Sequence, residues 1–150
     1  LFAGCKAIVV ADENTWNVAG GDVQKSLDDA GVISENPFIF TAEDFYAEWR
    51  HIESLKDYLG TREVIAIAVG SGVINDIVKL VSNLLGRRYM CVGTAASMDG
   101  FTAYGASITK DGNKQTFDCP APLGFVLDSE LVAAAPKELV ASGYADLIAN

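Results

Sequence analysis

The sequence predicts an α/β domain: a mostly parallel sheet with flanking helices, plus one small β-hairpin. Three observations carry that expectation. Short runs rich in Val, Ile and Ala alternate with longer stretches of helical spacing. Within the runs, consecutive positions are apolar, as in strands covered on both faces. Each run also ends in polar or glycine-containing punctuation, where a chain would leave a sheet for a helix.

The elements follow in order. "CKAIVVAD" (5–12) reads as a buried strand that ends in a polar turn. From about Asn17 to Ala30, Val18, Val23, Leu27 and Ala30 fit one helix face, closed by Gly31. "PFIFTAED" (37–44) repeats the strand-then-polar pattern. "FYAEWRHIESLKDYLG" (45–60) puts Phe45, Trp49, Ile52, Leu55 and Leu59 on one helical face. "EVIAIAVG" (63–70) is the third strand, "VINDIVKLVSNLLG" (73–86) the third helix and "RYMCVG" (88–93) the fourth strand. Beyond Gly93 the chain turns to small and polar residues, and "KDGNK" reads as a hairpin turn. "LGFVLDSELVAAAPKEL" supplies a last strand and a short helix, with Pro136 placed to start another. The spacing predicts one α/β domain over 1–142, and a second, helical domain that begins at 143–150 and is cut off by the chain end.

Composition narrows the function. Half of the 150 residues are hydrophobic and 21% are charged, which suits a domain with a substantial core. Eleven basic against twenty acidic residues give a formal charge of −9, and the densest basic pair is Arg87-Arg88. That offers no stripe for a nucleic-acid backbone. No apolar run approaches the ~20 residues of a membrane span, so neither nucleic acid nor membrane is expected as a partner. "LFAGCKAIVV" lacks the charged start of a signal peptide, and the absence of an initiator Met suggests a piece of a longer protein. Cys5, Cys91 and Cys119 are odd in number and widely spaced, which points to buried thiols in a reducing, cytoplasmic setting.

The residues with chemical interest lie at the ends of the strands. Gly70-Ser71-Gly72 stands between a strand and a helix, where unpaired N–H groups and the helix dipole favour an anion. The third glycine of a full Gly-x-Gly-x-x-Gly fingerprint is replaced by Asn75, and on spacing alone a plain strand-to-helix turn fits equally well. Asp12 could accept from a ribose diol or serve as a helix N-cap. Asp99 could orient a hydroxyl or belong to a simple Asp-Gly turn. Asp146 reads as a carboxylate on an early helical turn. His51, the only histidine, reads as a surface or boundary residue, and Trp16 and Trp49 as packing residues. With one His and no Gly-x-Ser-x-Gly, a serine or cysteine hydrolase has little support.

Taken in order, "VVADENTW", "AVGSGVINDIVK", "GTAASMDGFTAYGASI" and "APLGFVLDSELVAAAPKELVASGYADLIAN" resemble the glycerol-1-phosphate dehydrogenase family. That family sits among glycerol dehydrogenases, iron-type alcohol dehydrogenases and dehydroquinate synthases. The resemblance implies a Rossmann-like nucleotide-binding domain and an all-α C-terminal domain absent from this chain. It places Asp12 at the adenosine ribose, Gly70, Ser71 and Gly72 at the pyrophosphate, and Thr94 and Ser97 along the cofactor. Asp99 would stand near nicotinamide and substrate, and Asp146 would be one ligand of a divalent metal, zinc before nickel or iron. The implied cofactor is NAD, with NADP as the alternative. An acid at position 12 favours NAD, because a 2′-phosphate would meet a carboxylate.

The implied reaction interconverts glycerol 1-phosphate and dihydroxyacetone phosphate, in a protein that forms homo-oligomers like its relatives. Three departures stand out: Ala103 where a serine is common, Ala145 in "GYAD", and no histidine but His51 to complete a metal site. A catalytic zinc needs about three protein ligands, so this chain alone is expected to be inactive. Glycerol dehydrogenase and dehydroquinate synthase are the alternatives within the group. A non-catalytic nucleotide-binding or assembly module is the alternative outside it.

Overall fold

The computed structural model of the 150-residue chain describes residues 4–42 and 44–149. Five parallel strands form one sheet in the order β2-β1-β3-β4-β7. They are β1 (Lys6–Asp12), β2 (Phe38–Phe40), β3 (Val64–Gly70), β4 (Tyr89–Gly93) and β7 (Gly124–Leu127). The register sets Val9 beside Ile67 and Val69 beside Val92, so the strand ends at Asp12, Gly70 and Gly93 line up along one edge.

Alternation along β1 explains why the sheet is covered twice. Ile8 and Val10 face α3 (Trp49–Gly60) and α4 (Gly72–Leu84), against Ile52, Leu55, Ile77 and Val81. Ala7, Val9 and Ala11 face the opposite layer, where Ala19, Val23 and Leu27 pack. That layer is an almost unbroken helical run: α1 (Glu13–Thr15), a π turn over Trp16–Gly20 and α2 (Gly21–Asp29). Burying a Val or Ile side chain contributes roughly 1.5–3 kcal/mol, so the strand runs dominate the driving force.

The antiparallel pair β5 (Ala106–Lys110) and β6 (Asn113–Phe117) matches the expected hairpin. Asp111 and Gly112 both have positive φ, +52° and +74°, as a two-residue type I′ turn requires. The short helix α5 (Ser129–Ala133) and α6 (Lys137–Ala149) follow β7. Among the described residues, no helix is long and apolar enough to cross a membrane.

Several expectations need correction. The first helical run begins before Asn17, because Asp12 and Thr15 form a reciprocal capping box at its start. The second helix begins at Trp49 and not at Phe45. Ala47 O is taken by Thr109 N at 2.7 Å, and Glu48 bridges to Thr109, which keeps 45–48 out of the helix. His51 is buried and lies edge-on to Phe40 and Phe45, at 5.4 and 4.9 Å between ring centres. Cys91 and Cys119 are buried, but Cys5 is exposed.

Asp146 lies in the last turn of α6, since that helix starts directly after Pro136. The helix dipole at an N-terminus therefore does not explain it. Helix α6 is also continuous through positions 142 and 143. Glu43, within the expected strand-then-polar stretch, and the final Asn150 fall outside the described residues.

Candidate functional site

The order β2-β1-β3 makes the chain reverse direction across the sheet between β1 and β3. A doubly wound sheet opens a crevice beyond its carboxyl ends at such a reversal. Asp12 ends β1 and Ser71 follows the last residue of β3, so the two border that crevice from adjacent strands. A cavity of about 430 Å³ is lined by Asp12, Thr15, Ser71, Thr94 and, from the far side, Pro136 and Leu139. A second, of about 240 Å³, shares Asp12, Asn14 and Ser71 and continues toward Phe40 and Phe45.

Each wall has a local cause. Asp12 is the N-cap of α1: its Oδ1 accepts from Thr15 N at 2.9 Å, and Asp12 N donates to Thr15 Oγ1 at 3.1 Å. The helix-cap role is thus present, and it fixes the direction of the carboxylate at the crevice mouth. Ser71 occupies the N-cap position of α4 with extended backbone and makes no side-chain cap bond. The first-turn N–H groups of a helix have no intrahelical partner, so this end keeps its donors for an anion.

The two glycines differ in what they permit. A Cβ on Gly70 would sit 2.7 Å from Ile74 Cβ, so Gly70 serves the close packing of β3 on α4. A Cβ on Gly72 would meet only the flexible end of Met98, at 2.9 Å from Sδ. Thr94 N donates to Gly70 O at 3.2 Å and ties the loop after β4 to the turn after β3.

Ser97 and Asp99 lie further along that loop, away from the lining of both cavities. Ser97 backs onto α6 at Gly143, where a Cβ would stand 2.0 Å from Ala96 O. That close approach lets Asp146 reach the loop: Asp99 N donates to Asp146 Oδ2 at 3.1 Å. The structure therefore gathers the site residues into two groups. Asp12, Gly70, Ser71, Gly72 and Thr94 meet at the crevice, and Ser97, Asp99 and Asp146 meet beside α6.

Sequence reasoning did not single out a buried polar row on α4. Asn75, at the third glycine position, is fully buried, and its Oδ1 accepts from Tyr89 Oη at 3.0 Å. Asp76 accepts from Ser107 N at 3.2 Å. Burial pushes the Asp76 carboxyl above the ordinary carboxylate range, against the opposing pull of the Ser107 N–H and of Lys79. Lys79 lies within the apolar run "DIVKLV", and that misfit was the one signal in the sequence. Gly143 gave no signal, because its neighbour Ala96 is distant in the chain.

Asp146 has the chemistry of a metal ligand, but the described residues contain no group of three His, Cys, Asp or Glu placed to hold an ion. These residues do not by themselves make a metal centre. The crevice, in contrast, has the parts a dinucleotide needs: a fixed carboxylate, an uncapped helix start and glycines at the turn.

The fold and crevice define a Rossmann-like α/β domain. The chain belongs to the iron-containing alcohol dehydrogenase family, whose model matches residues 2–136. It is 33% identical over 142 residues to glycerol-1-phosphate dehydrogenase [NAD(P)+] of Halalkalibacterium halodurans, covering 93% of this chain and 36% of the relative. The corresponding protein of Methanocorpusculum labreanum is 38% identical over 144 residues, covering 95% and 38%. The chain thus spans little more than a third of the length of these relatives. Among solved structures, glycerol dehydrogenase from Schizosaccharomyces pombe matches with a TM-score of 0.79 at 23% identity, over 95% of this chain and 36% of that one. An iron-containing alcohol dehydrogenase from Thermotoga maritima matches at 0.82 and 19%, over 95% and 45%. At such identities these two likenesses speak for the fold.

Proposed function

We propose that this chain is the nucleotide-binding part of an NAD(P)-dependent dehydrogenase that interconverts glycerol 1-phosphate and dihydroxyacetone phosphate. The observation that carries the reading is the pairing of Asp12 and Ser71 at the ends of adjacent strands, facing one crevice at the reversal of strand order. The names of the relatives supply the substrate class. In this reading the Asp12 carboxylate accepts from the adenosine ribose, and the start of α4 holds the pyrophosphate with its N–H groups. Gly72 leaves room for the phosphates to approach the backbone. The bound dinucleotide supplies hydride transfer. Thr94 holds the loop that leads toward Ser97 and Asp99, so that Asp99 stands where substrate hydroxyls arrive. Asp146 offers one carboxylate to a divalent metal, zinc before nickel or iron, whose other ligands lie outside the described residues.

The Asp12 carboxylate, held by Thr15, favours NAD over NADP. Calorimetric titration of NADH and NADPH into the chain tests the reading. Tighter binding of NADH, weakened by Asp12→Ala and by Gly72→Val, supports it. A folded chain that binds neither nucleotide removes the crevice as a cofactor site. Glycerol dehydrogenase, acting on the unphosphorylated pair, is the second reading. Steady-state rates of the full-length protein on dihydroxyacetone phosphate and on dihydroxyacetone separate the two.

A further inference from the structure

Lys79 is almost fully buried in the middle of α4, and all three of its ammonium protons have an acceptor. Nζ donates to Gly100 O at 3.3 Å, Ala103 O at 3.0 Å and Gly105 O at 3.0 Å. These carbonyls belong to an irregular stretch, a single 3₁₀ turn over Gly100–Thr102 followed by bends at Ala103 and Tyr104 and a φ of +96° at Gly105 before β5. Thr102, Ala103 and Tyr104 are exposed, and Gly100 O also accepts from Ala103 N at 3.2 Å, so the segment makes few bonds of its own and its inward-turned carbonyls draw on a further donor. One cation reaches all three.

Burial is costly for an ammonium, and it lowers the proton affinity of Lys79, opposed chiefly by Asp76 one turn earlier on α4. Such a cost in the core, for a residue that an apolar side chain could replace, asks for a return. The return lies at the other end of the stretch. Asp99 precedes Gly100 directly, and the stretch has two further anchors: Phe101 stacks on Phe125 of β7 at 5.2 Å, and Ser107 N is held by Asp76.

We propose that Lys79 is a positioning residue for the nicotinamide side of the site, holding the 100–105 segment by its carbonyls and so fixing Asp99 relative to the crevice. The assignment rests on the dehydrogenase reading above. Lys79 does not border the crevice, so it acts through the segment and not on the cofactor.

The test compares the wild-type chain with Lys79→Met, which keeps an unbranched apolar stem and loses the donors, and with Lys79→Arg, which keeps donors and charge. Hydrogen exchange is read segment by segment, together with NADH affinity and the emission of bound NADH. In Lys79→Met, amides over 99–107 exchange on the order of tenfold faster while β3 keeps its protection. NADH affinity changes by less than about threefold, because the pyrophosphate site is elsewhere, but the emission per bound NADH departs from the wild-type value. Lys79→Arg recovers part of both. A purely structural role lowers stability and leaves the emission per bound NADH unchanged, which would overturn the proposal. Wild-type exchange over 99–107 in Lys79→Met would overturn it too.

Should Lys79→Met fail to fold, the ¹⁵Nζ spectrum of the wild type decides. One slowly exchanging ammonium with contacts to residues 100, 103 and 105 upholds the clamp, and uniformly fast exchange refutes it. A wild-type chain that binds no NADH sinks the dehydrogenase reading instead. The exchange comparison then still shows whether Lys79 orders the segment.

Discussion

The carboxylate of Asp146 accepts the backbone N–H of Asp99 across 47 positions of sequence, at 3.1 Å. One residue comes from the last turn of α6 and the other from the loop after β4. Their meeting depends on Gly143, since no other residue type lets α6 lie so close to Ala96 O.

Gly143→Ala therefore goes against its helix propensity. In an open helix the change would gain about 1 kcal/mol. Here the added Cβ collides with backbone, and a loss of about 1–3 kcal/mol is expected from urea unfolding. The Asp99 amide should exchange faster as α6 moves away. A stabilised Gly143→Ala chain would show that the helix is not packed on the loop in solution.

Asp12 carries two roles that substitution can separate. Asp12→Ala removes the cap and should cost about 1 kcal/mol of stability. Asp12→Ser retains a capping oxygen and should keep most of that stability. Both are expected to weaken NADH binding by about tenfold or more. Unchanged affinity in Asp12→Ser would reduce Asp12 to a helix cap.

Gly70 and Gly72 should part company in the same assays. Gly70→Ala pushes a Cβ to 2.7 Å from Ile74 Cβ and should lower stability by about 1–3 kcal/mol. Gly72→Ala faces only the mobile end of Met98, so its stability should change little while NADH affinity falls. Equal stability losses in the two variants would contradict this division.

His51 contributes a pH dependence whose sign follows from its setting. Burial beside Phe40 and Phe45 holds its pKa below 6.5, helped by Arg50 and opposed by Glu48. The unfolded chain then binds the proton more readily than the folded one. The contribution of His51 to stability is fully present above pH 6.5 and is lost as pH falls through the lower, folded value. As His51 is the only histidine of the chain, the urea midpoint of the wild type relative to His51→Leu should drop below pH 6.5 in a series from pH 8 to pH 5, while Asp76, raised by burial, contributes with the opposite sign in both chains.

Metal should matter little to this chain alone, because the described residues gather no three-ligand set around Asp146. Chelation with EDTA is expected to leave the melting temperature unchanged, and added zinc to raise it by no more than about 1 °C. A rise of several degrees, abolished by Asp146→Ala, would reveal ligands that the structure does not gather.

What the sequence made legible was local. Apolar runs marked β1, β3 and β4, the first two with consecutive β-branched residues, and Asp111-Gly112 marked the hairpin, because these signals act within a few residues. The acid at Asp12 and the glycines at 70 and 72 were visible because strand ends are visible. Contacts made at long range were not. The non-helical stretch 45–48 is set by the hairpin about sixty positions later, and the setting of His51 by rings on two other segments. Asp146 was misplaced on its helix because the start at Pro136 competed with a second plausible start nearer the end.

The three carbonyls that receive Lys79 lie 21 to 26 positions downstream of it. Until they arrive, seating this face of α4 would strand a bare cation in the core, so the helix and the stretch must dry out together. During synthesis, at about 5–20 residues per second, the wait for Gly105 lasts on the order of seconds. Over that interval the residues of β1, β3 and α4 have been made, but the lysine has no acceptors and its face of the helix favours water. The seam that Lys79 locks therefore closes only after Gly105 is made.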